Sequence, residues 1–226
     1  MFKRETRVFE DNFDRAQVLV DGTPGHNGWS LDDVSSSGAP TATTATLDGG
    51  GMVLTLAATS EAENLTMFME DILMFDVRNL QHVDIIAHVA GIDSLSVVCF
   101  GVGAAQNDDE DAVVTNAWFK MEGATSTTLV VVETDDGTND NNDIATGVTL
   151  AATPKFFRID FTRGISDIRF YIDGEPVALP TTFSMADLTA GLNVQPYVQI
   201  SKPSGTGTPA VTIRKFRIQY TSTLGA

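Results

Sequence analysis

Between Phe156 and Val177 the chain reads FFRIDFTRGISDIRFYIDGEPV, two alternating runs joined by a short glycine-containing turn, with Asp173-Gly174-Glu175 forming a second turn. In the first run Phe157, Ile159 and Phe161 share one face and Arg158, Asp160 and Thr162 the other. In the second, Ile168, Phe170 and Ile172 alternate with Arg169, Tyr171 and Asp173. Side chains along an extended strand point alternately to opposite sides, so this period of two predicts strands with one face buried.

Similar runs recur along the chain with turn residues between them. Strands are predicted at Arg4–Phe9, Met52–Ala57, Leu65–Glu70, His82–Val89, Leu95–Gly101, Ala117–Met121, Thr128–Glu133, Phe156–Thr162, Asp167–Ile172, Val194–Ile200 and Val211–Thr221. No helical patterns of strand-linking length lie between them, which indicates an antiparallel sandwich rather than βαβ units. Glu70–Leu80 fits neither period and reads as strand or loop. The expected fold is all-β, a single domain over residues 1–226 with an N-terminal segment 1–14. Thr23–Gly51 is rich in Gly, Ser, Thr and Pro, with Trp29, Leu31 and Leu47 its main large apolar residues. Such a stretch builds little core of its own and is long for a connection. It is read as a flexible loop or arm in which Trp29 anchors against a partner.

The chain has 226 residues, a mean hydropathy near zero and 13 Phe, enough for one large core. Its net charge is −16, from 30 acidic against 14 basic residues. Neutralising phosphates needs clustered Lys and Arg, so nucleic acid is excluded as a partner, and an anionic membrane surface likewise. The charge suits solubility, a cationic partner or Ca²⁺. Cys99, the only cysteine, lies in the apolar run LSVVCFGVG and reads as a buried, inert thiol, which excludes a disulfide framework. MFKRETRVFEDNF has no apolar signal core, and no run approaches the ~20 apolar residues that cross a bilayer. Synthesis and retention in the cytosol, until lysis or assembly, is the expectation.

Few constellations carry chemistry. Asp135, Asp136, Asn139, Asp140, Asn142 and Asp143 offer hard oxygen ligands on one loop with Gly137 at its bend, as Ca²⁺ favours. Asn/Asp turns also form without metal, by capping their own backbone. The second acidic loop, Gln106–Asp111, makes a weaker case. Glycoside hydrolysis needs two carboxylates about 5–10 Å apart, and no Glu-x-Asp-x-x-Glu strand is present; Glu70 and Asp71, being adjacent, point apart. His82 and His88 are too far apart on their strand to share a metal, no serine sits in a GxSxG elbow, and Gly49–Gly51 lacks a phosphate loop's spacing. The expectation is therefore a protein that is not an enzyme. Trp29, Trp118, Phe119, Tyr171 and Tyr197 are candidates for stacking on sugars. Alternation puts Trp118 and Phe119 on opposite faces, with Trp118 read as the core residue and Phe119 as the outward one.

VFEDNF, FGVGAAQ, AWFKMEG, LVVVETDDG, the FFRIDF–DIRFYIDGEPV hairpin, LNVQPYVQISK and the closing IRKFRIQY occur in an order that resembles the laminin-G and concanavalin A-like jelly rolls. The resemblance implies a two-sheet sandwich of the lectin/glucanase type, with first and last strands side by side. More narrowly, the set resembles tailed-bacteriophage capsid decoration proteins of that fold. That implies a virion protein on the capsid surface, a homotrimer bound to the major capsid protein, gripping it through Phe2, Arg4, Arg7, Trp29 and Leu31. The alternative is a carbohydrate-binding, lectin-like module or virion adhesin for host glycans, stacking sugars on Trp29 or Tyr197 and holding Ca²⁺ with Asp135, Asp136 and Asp140.

Overall fold

The computed structural model describes residues 4–45, 48–150, 153–187 and 193–223. Along the chain run β1 (Arg4–Asp11), β2 (Val18–Leu19), β3 (Ser30–Asp33), β4 (Thr41–Thr44), β5 (Met52–Thr55), β6 (Glu63–Phe68), β7 (Phe75–Asp76), β8 (Leu80–Ala90), β9 (Val97–Gly103), β10 (Asn116–Glu122), β11 (Leu129–Asp135), β12 (Asn141–Thr149), β13 (Lys155–Asp160), β14 (Arg169–Ile172), β15 (Glu175–Val177), β16 (Asn193–Lys202) and β17 (Ala210–Thr223). The first sheet is ordered β15-β14-β13-β8-β17-β5-β4-β2, with β1 also paired to β17; the second is ordered β12-β11-β10-β9-β16-β6-β3, with β7 on β16. The two stack as an all-β, antiparallel jelly-roll sandwich, and every predicted strand is present.

The hairpin read first in the sequence has the expected register, Phe157 opposite Ile172 and Ile159 opposite Phe170. Phe157, Ile159, Phe161, Ile168, Phe170 and Ile172 all face inward and are buried. Asp173 and Gly174 both take positive φ, 53° and 88°, which closes the two-residue turn into β15 with the twist that strands prefer. Across the core Phe100, Phe119, Phe157, Phe170 and Phe183 form a chain of ring contacts with centroids 4.9–5.9 Å apart. Edge-to-face pairs of this kind contribute about 0.5–1.5 kcal/mol each beyond their burial. First and last strands pair along their length, from Arg4 opposite Thr223 to Asp11 opposite Phe216.

Three expectations need correction. The described residues of the 23–51 stretch, 23–45 and 48–51, are not a free arm: β3 completes the edge of the second sheet against β6, and β4 pairs with β5 in the first. Trp29 and Leu31 are core residues, 0% and 5% exposed, and so are not available to a partner. The Trp29 indole packs against Phe13 and Phe216, and its Nε1 donates to Asp11 Oδ2 at 2.9 Å. That bond satisfies the one polar group that would otherwise hold the side chain at the surface. Finally, Phe119 is the inward residue of its pair and packs in the main core, whereas Trp118 lies on the opposite face yet is also fully buried.

Candidate functional site

Trp118 is buried because the outer face of the second sheet is covered. The β9–β10 connection, Ala104–Thr115, folds back over that face as a roof, carrying a short 3-10 turn at Glu110–Ala112. Beneath it lies a floor set by strand alternation. Tyr197, Gly101 and Trp118 stand opposite one another on β16, β9 and β10, and so do Gln199, Cys99 and Lys120. Gly101 has no side chain for a steric reason: a Cβ there would lie 2.3 Å from the Ala117 carbonyl and 2.7 Å from Trp118 Cβ. The rings of Trp118 and Tyr197 lean toward each other across that gap, with centroids 5.6 Å apart. Phe68, Cys99 and Val113 complete a small apolar cluster separate from the main core.

The rest of the floor is amide and charge. Gln195, Gln199, Asn64 and Asn116 are all buried. Gln199 Nε2 donates to the Asp108 carbonyl at 3.0 Å, Asn64 Nδ2 to the same carbonyl at 2.6 Å, and Tyr197 Oη to the Asn107 carbonyl at 3.1 Å. Gln195 Nε2 reaches the Ala104 carbonyl at 2.9 Å and Asp71 Oδ1 at 2.7 Å. Asp71 and Glu70 make the tight turn after β6, both with positive φ, 54° and 53°. Their carboxylates hold that conformation by accepting from Gln106 N and Gln195 in one case and from Ser30 Oγ in the other.

Lys120 is the charged centre. Its side chain is 2% exposed, and its Nζ lies 2.7 Å from Asp111, 3.6 Å from Asp143, 3.7 Å from Glu133 and 3.8 Å from Glu110. Burial acts to lower the lysine's affinity for its proton, but Asp111, Glu133 and Asp143 outweigh it and hold the ammonium charged. One cation among four carboxylates leaves excess negative charge in a water-poor place. Burial accordingly pushes Glu133 up to about 7, against the opposing pull of Lys120, and also raises Glu110 and Asp143. Glu133 Oε2, Asp143 Oδ1, Asn116 Oδ1 and the Trp118 indole N–H are buried without a hydrogen-bond partner. Beside the roof, a groove of about 360 Å³ is lined by Val34, Asn64, Asp108, Glu110, Ser201 and Pro203, among others. This lies within the range of small-molecule sites, about 300–1,000 Å³.

Of the residues singled out in the sequence, Trp118 and Tyr197 lie in this floor and Asp143 beside Lys120, and the others lie elsewhere. Phe2 falls outside the described residues. Arg4 and Arg7 are exposed on β1, on the first sheet. The proposed calcium loop is not an open ligand set. Asp136 is fully buried; its Oδ1 accepts from the Thr138 and Asn139 amides, and its Oδ2 from Asn139 Nδ2 and the Asp187 amide. Burial works to raise its pKa, and these donors more than reverse the effect. Asp135 caps Gly137 N, Asp140 accepts from Asn142, and Asp143 turns to Lys120 from β12, a strand that sequence reading took for loop. These Asp and Asn oxygens are used in capping the turn. Among the described residues no group of three or more His, Cys, Asp or Glu side chains is arranged to hold a metal ion.

Sequence reading missed Lys120, Glu133, Gln195 and Gln199 as a group. Their signal is the same period of two that built the fold, in NAWFKME, LVVVETD and NVQPYVQISK. Polar residues recur there on one face of strands whose other face is apolar.

No family model matches the chain, and no curated protein matches it. Solved structures do. The carbohydrate recognition domain of Emp47p superposes with a TM-score of 0.56 at 10% identity, covering 91% of this chain and 94% of that one. A GH16 protein from the Bacteroides ovatus mixed-linkage glucan locus, in complex with product, gives 0.61 at 9% identity, covering 93% and 99%. A protein of unknown function from Shewanella oneidensis MR-1, SO2946, gives 0.62 at 10% identity, covering 98% and 89%. At such identities the likeness is one of fold, and the fold is the concanavalin A-like sandwich of lectins and glucanases.

Proposed function

We propose that this chain is a carbohydrate-recognising, lectin-like module without hydrolytic activity. The observation that carries the reading is the floor of the second sheet. It joins an aromatic pair, Trp118 and Tyr197, to the side-chain amides of Asn64, Gln195 and Gln199, with a groove opening at its rim; both rings are fully buried beneath the Ala104–Thr115 roof, so a sugar reaches them only if that connection moves. Sugars present apolar ring faces and many hydroxyls, and aromatic platforms flanked by amide donors and acceptors match both. The fold likeness to a carbohydrate recognition domain and to a GH16 protein supports the same reading. The carboxylates around Lys120 speak against turnover: Glu133 and Asp143 are tied to one lysine ammonium beneath a roof, whereas hydrolysis needs two carboxylates flanking an open cleft. The test is a glycan array with the purified protein, repeated with Asn64→Ala. Binding that the variant loses supports the reading; release of sugar from a bound glycan refutes the non-catalytic part.

A second reading, a virion surface protein that decorates a capsid as a trimer, draws on one observation. Among the described strands β1 pairs only with β17, so its other backbone edge is open, and Arg4, Arg7 and Val8 are exposed along it. An unpaired edge is a ready surface for another chain. Mixing the protein with phage heads that lack it, then imaging them, tests this: regular density on the lattice supports it, and loss of that density on deleting Met1–Arg7 places the contact. Bare heads would leave the glycan-binding module as the reading. A virion adhesin would satisfy both.

A further inference from the structure

The floor's side chains are not idle beneath the roof, and what they hold is unusual. Four side-chain donors, from Asn64, Gln195, Tyr197 and Gln199, converge on backbone carbonyl oxygens of a single connection, those of Ala104, Asn107 and Asp108. The roof thus offers the floor what a polyhydroxylated ligand would, a row of uncharged oxygens. Its apolar hold is slight. Val113 is its only buried large apolar side chain, whereas Asn107, Asp108, Asp109, Asp111, Ala112 and Val114 are exposed. The remaining anchors are polar: Gln106 on Asp71 and Asp32, Asn116 Nδ2 on the Val113 carbonyl, and Glu110 and Asp111 on Lys120. Under this cover Asn116 Oδ1 is buried without a hydrogen-bond partner, while Glu133 Oε2 has only the longer ion pair to Lys120 Nζ at 3.7 Å and the influence of the Trp118 indole. Polar groups so loosely satisfied are uncommon in a buried place.

We infer that Ala104–Thr115 is a displaceable lid whose backbone carbonyls occupy the donor positions of a ligand site on the second sheet, and that this site takes neutral or amine-bearing polyhydroxylated ligands and rejects anionic ones. The inference rests on the carbohydrate reading for its ligand class, but the lid itself stands on geometry alone. Rejection of anions follows from the charges that line the site. Asp108, Glu110 and Asp111 leave with the lid, but Asp32 and Asp71, which engage Gln106 while it is closed, remain at one end, and Glu133 and Asp143 remain beside Lys120 at the other. A uronate or sialate carboxylate would meet these without a free cation to receive it.

Cys99 makes the lid measurable. It is the only cysteine of the chain, lies on the floor under the lid, and is 1% exposed. The full-length protein is treated with iodoacetamide and alkylation is timed, alongside Asp111→Asn, which loosens the ionic anchor, and Val83→Ala, which weakens the main core on the other sheet. If the lid opens locally, Asp111→Asn raises the alkylation rate about tenfold, as loss of one charge-assisted hydrogen bond implies, whereas Val83→Ala lowers the urea midpoint at least as far as Asp111→Asn does. Val83→Ala then changes the rate little. If alkylation instead follows the urea midpoint through all three proteins, the cover opens only by global unfolding and the lid is refuted. The same Asp111→Asn protein is applied to a glycan array. Stronger binding than wild type to neutral or amino sugars supports the ligand class. Faster alkylation with no gain in glycan signal, or a gain confined to acidic glycans, overturns the ligand class while the lid stands.

Discussion

Replacing Glu133 by Gln should stabilise the protein, and by more at higher pH. The neutral amide keeps the shape of the protonated acid and removes an ionisation that the site resists. Burial lifts Glu133 from an ordinary 4.5 to about 7, so the folded protein binds this proton more tightly than the unfolded chain does. Below the unfolded value both states are protonated and nothing is lost. Between 4.5 and 7 the unfolded chain has released its proton and the folded one has not, so stability falls as pH rises, and above 7 the loss is complete. At full extent it amounts to about 3 kcal/mol. Glu133→Gln should therefore gain about 1 kcal/mol at pH 5.5 and about 3 kcal/mol at pH 8, the latter raising Tm by roughly 6–12 °C. Urea unfolding of both proteins at the two pH values measures it. An equal gain at both would mean that Glu133 does not titrate in this window. A loss of stability at pH 8 would mean that its attraction to Lys120 outweighs the cost of burying its charge, which would refute the reasoning.

Two other substitutions probe the frame around the site. Trp29→Ala empties a fully buried indole position and removes one of the three donors to Asp11, leaving Asn27 Nδ2 and the Phe13 amide, so it should cost about 3–5 kcal/mol in urea unfolding; a cost below 1 kcal/mol would return Trp29 to the surface. Gly101→Ala drives a Cβ against the Ala117 carbonyl and Trp118, so it should cost about 1–3 kcal/mol or more and shift near-UV circular dichroism as the Trp118–Tyr197 pair separates; an unchanged spectrum would refute the close approach.

Alternation made the sandwich legible, because a strand with one apolar face announces itself within six residues, as in RIDF and RFYI. It failed where the strand is short, polar and marginal. β3 and β4 contain Ser, Asp and Thr, and β12 begins Asn-Asn-Asp; each is held by its neighbour's backbone rather than by its own hydrophobic pattern. Trp29 was misplaced because its burial depends on an acceptor eighteen residues away, Asp11, and on where the strand between them turns. The floor was half legible. Its polar residues can be counted along β10, β11 and β16, but whether they meet water depends on a connection folding back over them, and Gln106–Asp111 reads simply as an acidic loop. The turn chemistry of Asp135–Asp143 was also visible, with capping and metal binding both open; the structure shows capping contacts from Asp135 and Asp136, one of them to the Asp187 amide.

The pairing of β1 with β17 has a consequence for how the molecule can be held. Arg4 lies opposite Thr223 on the first sheet, while the lid lies on the outside of the second. A tether at either end of the described chain, whether a fused domain, a linker to a bead or an attachment to a larger particle, would leave from one corner and from the side away from the lid. A body mounted in that way would present Ala104–Thr115 outward. By the same proximity, a short peptide joining the two ends should permit new termini to be cut at an exposed turn such as Pro203–Gly207, giving a circular permutant whose mounting point can be moved around the sandwich without disturbing the covered face.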